Sequence, residues 1–194
     1  MGGLAFLGEF VRDPVALGAV APSGAQLARM EVDAADIQPD HVVVELGAGN
    51  GPMTAEIVQR SLRDFVSLEP NARLAEELRQ RFPDVRVDER LAQELPAIVA
   101  EMGHERVDRV VSSLPWAIWS QELQDDILAA ILEVLAPDGR MVTFSYLHAK
   151  PLPAARRFKA TLDRHFGSVH TTSPAWRNVP PAFVFVCDEP RIPT

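Results

Sequence analysis

The chain has 194 residues, 47% of them apolar, with 27 acids against 19 Lys and Arg and a formal charge of −8. That length suffices for one domain with a substantial core, and the negative balance disfavours a broad nucleic-acid footprint, which needs clustered cations against phosphate. The lone cysteine, Cys187, excludes an internal disulfide or a cysteine-based metal site and fits a reducing cytoplasm, and neither a membrane-spanning apolar run nor an export signal is present.

In chain order, Leu4, Phe6, Leu7, Phe10 and Val11 fall on one arc of a helical wheel, and Glu9, Arg12 and Asp13 on the other. This predicts a short amphipathic helix, ended by Pro14, whose apolar face packs on its own domain or meets a membrane surface. A second short helix is expected from Ser23, with Gln26 as capping-box partner and Leu27 and Met30 facing inward. From residue 41 onward apolar runs alternate with helical stretches, the pattern of a parallel sheet covered by helices. Strands are predicted at 41–46, 65–68, 85–87, 107–112, 140–146, 169–172 and 183–187. Helices fit at 52–62, 71–82, 91–102, 121–135 and 154–166, with Pro137-Asp138-Gly139 as a turn. The last two strands leave no room for a helix between them, so an antiparallel pair should close one edge. The expected fold is α/β, a doubly wound, seven-stranded, mostly parallel sheet: a helical extension over 1–40 and one ligand-binding domain over 41–194.

The first strand of that domain breaks into Gly47, Gly49 and Gly51, glycines that let the backbone turn tightly and approach a ligand. A second strand ends in Glu69, 18 residues past Gly51, where a carboxylate can accept both hydroxyls of a ribose. The two features together predict a nucleoside site. A dinucleotide fits poorly, because Pro52 occupies the sixth position of its glycine fingerprint. Glu45, two residues before the first glycine, suits a ligand that carries positive charge near the loop.

Glu45-Leu46-Gly47-Ala48-Gly49-Asn50-Gly51 resembles the first motif of class I S-adenosylmethionine-dependent methyltransferases, and Glu69-Pro70 resembles their ribose-binding acid. The resemblance implies S-adenosyl-L-methionine as cofactor, with S-adenosyl-L-homocysteine as product. It assigns Glu45, Gly47, Ala48, Gly49, Gly51, Glu69 and Pro70 to cofactor binding, joined by Ser112. For the acid expected near the adenine amino group, Asp88 is the candidate; alignment on Ala92 to Leu95 puts Leu91 there instead and leaves the contact to backbone.

In a doubly wound sheet ligands bind beyond the carboxyl ends of the strands, which puts SSLPWAIW, residues 112–119, at the reacting end of the cofactor. Ser113-Leu114-Pro115-Trp116 resembles the Asn-Leu-Pro-aromatic turn of amino-methylating relatives. There proline fixes the turn, carbonyls accept N–H bonds and an aromatic face stabilises charge developing on nitrogen. The stretches 6–24, 45–51, 112–116 and 176–185 together resemble bacterial phospholipid N-methyltransferases, which methylate phosphatidylethanolamine, and similar enzymes that methylate ornithine lipids. The resemblance implies direct methyl transfer to a lipid amine, with Trp116, Ser113 and Tyr146 in catalytic places and Leu114, Pro115, His148 and Arg177 toward the substrate. It also implies peripheral contact at the inner face of the membrane through residues 1–13. Residues 1–20 hold one Arg, no Lys and two acids, so attraction to anionic lipid is weak there. Residues 150–164 carry five cations against the single acid Asp163, either a solvated helix face or an anion-facing surface. A soluble amine acceptor and an RNA adenine are the alternatives. The motifs call for no metal and no obligate protein partner.

Overall fold

The computed structural model describes residues 24–60, 62–176 and 178–191. Helix α1, Ala25–Ala35, leads into β1, Val42–Leu46, whose five residues are all buried. Burial on both faces is why this interior strand reads as an unbroken apolar run rather than an alternating one. Helix α2, Pro52–Ile57, and a 3₁₀ turn at Val58–Arg60 connect to β2, Asp64–Leu68. Next come α3, Ala72–Arg81, and β3, Arg86–Asp88. Then follow α4, Leu95–Glu101, β4, Val107–Ser112, and α5, Gln121–Val134. Strand β5, Leu135–Tyr146, helix α6, Pro153–His165, and strands β6, Phe166–Thr171, and β7, Ala182–Pro190, complete the order.

The strands form one sheet in the order β3-β2-β1-β4-β5-β7-β6. All neighbours are parallel except β7, which runs antiparallel to both β5 and β6. The doubly wound, seven-stranded, mostly parallel architecture is therefore present, with the antiparallel element at the expected edge. Val42, Val44, Leu46 and Val110 face a core built with α4, α5 and α6. Val43, Val111, Val142 and Val184 face a second core under α1 and α2. Among the described residues no helix is long and apolar enough to cross a membrane.

Several boundaries differ from expectation for local reasons. The helix expected over 91–102 splits into a 3₁₀ turn at Ala92–Glu94 and α4, because Pro96 lacks an N–H and is tolerated only in the first turn of a new helix. α2 ends at Ile57 instead of running to residue 62. Pro137-Asp138-Gly139 lies within β5, where the register advances two residues along β4, from Val107 to Arg109, against five along β5, so the tripeptide forms an outward excursion. The amphipathic stretch at residues 4–13 and Ser23 lie outside the described residues. The N-cap of α1 is Gly24, without a side-chain cap. Instead the Gly24 N–H donates to Asn178 Oδ1 at 3.2 Å. At the other end Arg109 Nε and Arg140 Nη1 donate to the Ala35 and Ala34 carbonyls at 2.8 and 3.1 Å, satisfying groups that a helix C-terminus leaves open. Leu27, Val32 and Ala35 are fully buried against the sheet, so α1 shares the core of the domain that follows it.

Candidate active site

The glycine loop crosses the carboxyl ends of β1, β2 and β4, and its three glycines differ in what surrounds them. All have positive φ, at 78°, 58° and 82° for Gly47, Gly49 and Gly51, a region in which L side chains are strained. A Cβ at Gly47 would stand 3.0 Å from Leu114 Cδ2, so this glycine lets the residue after Ser113 settle on the loop. A Cβ at Gly51 would meet Leu78 and Phe82 at 2.7 and 2.8 Å, so this one lets α2 pack against α3. A Cβ at Gly49 meets nothing within 4 Å. Only Gly49 thus opens its backbone to space where a ligand can lie.

Glu69 closes the same loop. Its carboxylate accepts the Gly49 N–H at 2.7 Å on one oxygen and the Asn71 N–H at 2.9 Å on the other. Burial raises its pKa, and these two N–H donors oppose that rise. Each carboxylate oxygen accepts more than one hydrogen bond, so both retain capacity for a ribose hydroxyl. Pro70 sets the chain toward Asn71, which caps α3 by accepting from the Arg73 and Leu74 N–H groups.

Glu45 is fully buried, and a single oxygen, Oε2, accepts both Thr54 Oγ1 and Ser67 Oγ at 2.7 Å. Its other oxygen, Oε1, is buried without a hydrogen-bond partner among the described residues. Desolvation pushes this carboxyl up to about 7 despite the two hydroxyl donors. Glu31 of α1, which the sequence reading passed over, is also fully buried, and neither of its oxygens has a hydrogen-bond partner among the described residues. Burial first, and repulsion from Glu45 second, hold Glu31 well above the usual carboxylate range. Its place in the stripe Leu27, Ala28, Glu31, Val32, Ala35 was the available signal: an acid at a core position of an amphipathic helix.

Asp88 ends β3, and its carboxylate holds Arg90 through the Nε, Nη2 and backbone N–H at 2.8–3.0 Å. That pairing keeps its pKa below the ordinary value. The acid is thus engaged by Arg90, which in turn binds Glu101, while the Asp88 carbonyl accepts the Glu69 N–H at 2.9 Å.

The turn after β4 is built from both strands and helices. The Ser113 N–H donates to the Leu46 carbonyl at 2.9 Å, which ties the turn to the end of β1. Ser113 is half-buried, and its hydroxyl and carbonyl have no hydrogen-bond partner among the described residues. Trp116 is 2% exposed. Its ring stacks on Phe158 at 5.2 Å, meets Trp119 edge-on at 5.9 Å and donates from Nε1 to Ser112 Oγ at 3.0 Å. The expectation of an open aromatic face for nitrogen is corrected here, because Phe158 of α6 covers that ring and makes it core. Ser112 is likewise enclosed, its hydroxyl serving Trp116 and its carbonyl accepting Thr143 Oγ1 at 2.8 Å. Gln124 Nε2 donates to the Trp116 carbonyl at 2.7 Å and fixes the turn from α5.

Tyr146 and His148 are brought together at the end of the neighbouring strand β5, their rings stacked at 5.6 Å. Burial raises the Tyr146 pKa, so its hydroxyl stays protonated at neutral pH. Arg177 lies outside the described residues. Its neighbour Asn178, within the 176–185 stretch but given no role there, holds the Gly24 N–H and donates to the Pro180 carbonyl, while the Pro181 carbonyl accepts the Leu147 N–H at 2.8 Å. The 178–181 loop therefore joins the start of α1 to the end of β5.

Comparison with known proteins places the chain in a family. The family model described as ribosomal RNA adenine dimethylase matches residues 26–115. An ornithine lipid N-methyltransferase of Singulisphaera acidiphila is 35% identical over 187 residues, 94% of this chain and 93% of that protein. The chain belongs to the same class I methyltransferase family as that enzyme. Solved methyltransferases share the fold. An S-adenosylmethionine-dependent O-methyltransferase from Thermotoga maritima superposes with a TM-score of 0.65 at 12% identity, covering 95% of this chain and 73% of that one. TrmN from Thermus thermophilus gives 0.65 at 19% identity, covering 85% of this chain and 48% of that one. The methyltransferase uses S-adenosylmethionine. The residues present fit that cofactor: open space at Gly49, acceptors on Glu69 for a ribose, and an unpartnered buried oxygen on Glu45 for positive charge.

Proposed function

We propose that this methyltransferase transfers methyl groups to the amine of an acyl-bearing lipid, and that residues 1–13 bring it to the membrane surface. The observation that carries the reading is the likeness to an ornithine lipid N-methyltransferase over nearly the whole of both chains. The RNA dimethylase model stops at Pro115, so it covers the cofactor half and leaves the turn beyond Pro115, β5 and the 178–181 loop outside its match. Those parts lie on the acceptor side, and the net charge of −8 disfavours a polyanion there.

The bound cofactor supplies an electrophilic methyl group. This chain's own residues would hold a neutral amine in line with that methyl group, and most of the acceleration would come from this orientation. Ser113 is the acceptor-holding residue in this reading: its unengaged carbonyl and hydroxyl take the amine N–H groups and aim the lone pair. Leu114 and Pro115 keep that carbonyl in place. Tyr146, held protonated by burial, donates to the headgroup, and the exposed imidazole of His148 beside it passes the released proton to water. Adenine is met by backbone at Asp88 to Leu91, since the Asp88 side chain is engaged by Arg90.

The test is a mass-spectrometric screen of purified lipids, ornithine lipid and phosphatidylethanolamine among them, with isotopically labelled S-adenosylmethionine. Label should appear on an aminolipid and be lost with Ser113→Pro, which removes the N–H tie and the hydroxyl. Label on ribosomal RNA or only on water-soluble amines would reject the reading.

A further inference from the structure

A groove of about 730 Å3 opens between α6 and the sheet at the carboxyl end of β5, within the range of about 300–1,000 Å3 common to small-molecule sites. Its floor is apolar, formed by Val169, Phe183 and Phe185, and its rim carries Lys150, Arg156 and Lys159. Among the described residues no carboxylate lines it. In a chain with a net charge of −8 this is a local reversal of sign. Lys159 is neutralised by Asp163 at 2.6 Å, but Lys150 and Arg156 form no ion pair with any described residue. Lys150 Nζ instead hangs 5.6 Å from the centre of the Phe183 ring, so one cation stands directly over the apolar floor.

The floor is continuous with the methyl-transfer turn. Phe185 meets Phe158 edge-on at 6.1 Å, and Phe158 stacks on Trp116, which holds the turn that carries Ser113. Strand β7 is two places from β4 in the sheet, on the order of 10 Å at about 4.8 Å per strand. A headgroup of several bonds covers that span.

We propose that the groove holds the acceptor lipid itself, with the anionic group beside its acyl chain, carboxylate or phosphate, between Lys150 and Arg156 and the chain over Phe183 and Val169. The occupant is a single lipid molecule, since the apolar surface is concave and the unpaired cations sit at its rim, where one anion and one chain meet both. The inference rests on the aminolipid reading for its biological sense, but binding tests it without turnover. A zwitterionic headgroup then spans two poles, its anion in the groove and its amine at Ser113.

The experiment is calorimetric titration of the full chain with monomeric dodecanoate, dodecyl phosphate and dodecanol, repeated with the Lys150→Met/Arg156→Met variant, which keeps the aliphatic stems. Both anions should bind the wild type at least about tenfold more tightly than dodecanol, the effect of one charge-assisted hydrogen bond, and the double variant should lose that preference. The better of the two anions identifies the headgroup as carboxylate or phosphate. Equal binding of dodecanol and the anions, or an undiminished preference in a double variant of unchanged melting temperature, would overturn the proposal. So would binding to anionic vesicles with none to monomers, which would mean a membrane-facing patch. On short-chain aminolipids the double variant should raise KM with kcat retained. If the wild type binds the anions as expected yet methylates no aminolipid, the functional reading fails and the groove stands.

Discussion

Gly49 and Gly51 differ by two positions and share a left-handed backbone, yet alanine at each should fail in a different way. At Gly49 the added methyl meets no protein atom within 4 Å, so the folded state loses only the strain of a left-handed alanine, about 1–2 kcal/mol. For a domain of this size that lowers Tm by about 2–8 °C, at about 2–4 °C per kcal/mol. The methyl does project into the space next to the Gly49 N–H that Glu69 holds, so S-adenosylhomocysteine should bind at least about tenfold more weakly, or about 1.4 kcal/mol. At Gly51 the methyl lands 2.7 Å from Leu78 and 2.8 Å from Phe82, adding about 1–3 kcal/mol of overpacking to the same strain. Its Tm should fall by about 4–20 °C, with affinity per folded molecule much less changed. Thermal melts and calorimetric titration of the two variants decide the matter. Wild-type affinity in Gly49→Ala would refute a close approach of the cofactor to this backbone, and a Gly51→Ala variant that melts normally but does not bind would invert the assignment.

The remaining predictions follow from burial and packing. Glu45, raised to about 7, takes up a proton on folding, so its stabilising contribution is full below the ordinary carboxylate range and is lost as pH rises through 7. Glu31 acts in the same direction. Ligand-free protein should melt several degrees lower at pH 8 than at pH 5.5, the Glu45 share being about 2 kcal/mol at most over that interval at 1.4 kcal/mol per pKa unit; a flat profile, or one unchanged by Glu45→Gln, would contradict the buried-acid account. Trp116→Leu should lower Tm more than kcat/KM per folded molecule, because the ring is packed on Phe158, with about 3–5 kcal/mol as the upper scale for losing a large buried aromatic. Normal melting with a large fall in kcat/KM would return Trp116 to the reacting nitrogen. Deletion of residues 1–13 should reduce turnover on vesicles more than on a short-chain soluble acceptor, and equal losses would exclude an interfacial role.

What could be read from the amino acids alone was whatever a local pattern enforces. β1 was legible because a strand buried on both faces must be apolar throughout, which made Glu45 conspicuous within it. The closeness of Glu69 to the glycine loop was legible because a strand parallel to β1 and next to it must end beside that loop. Contacts between distant segments were not. Trp116 looked like a nitrogen-facing ring until Phe158 of α6 was seen to cover it, and nothing near Trp116 in the chain announces that partner. Asp88 was picked out by its place after the third strand, and the pairing of its carboxylate with Arg90, two residues on, became visible only in the structure. Glu31 was missed for a different reason: scoring α1 by its apolar stripe hides a single acid placed inside that stripe. The groove beneath Lys150 needed α6 to be laid against β7 before its basic segment acquired an inside and an outside.

The antiparallel sense of β7 decides how the protein can be handled. Because Tyr146 pairs with Ala182 and Met141 with Cys187, the chain enters β7 at the edge of the sheet that carries Ser113 and Tyr146 and leaves it at the opposite edge. Gly24, bonded to Asn178 just before β7, stands at the first of these edges. A reporter joined at the end of β7 is therefore held at the end of the sheet away from Ser113 and Tyr146, whereas Gly24 lies at the same end as those two residues.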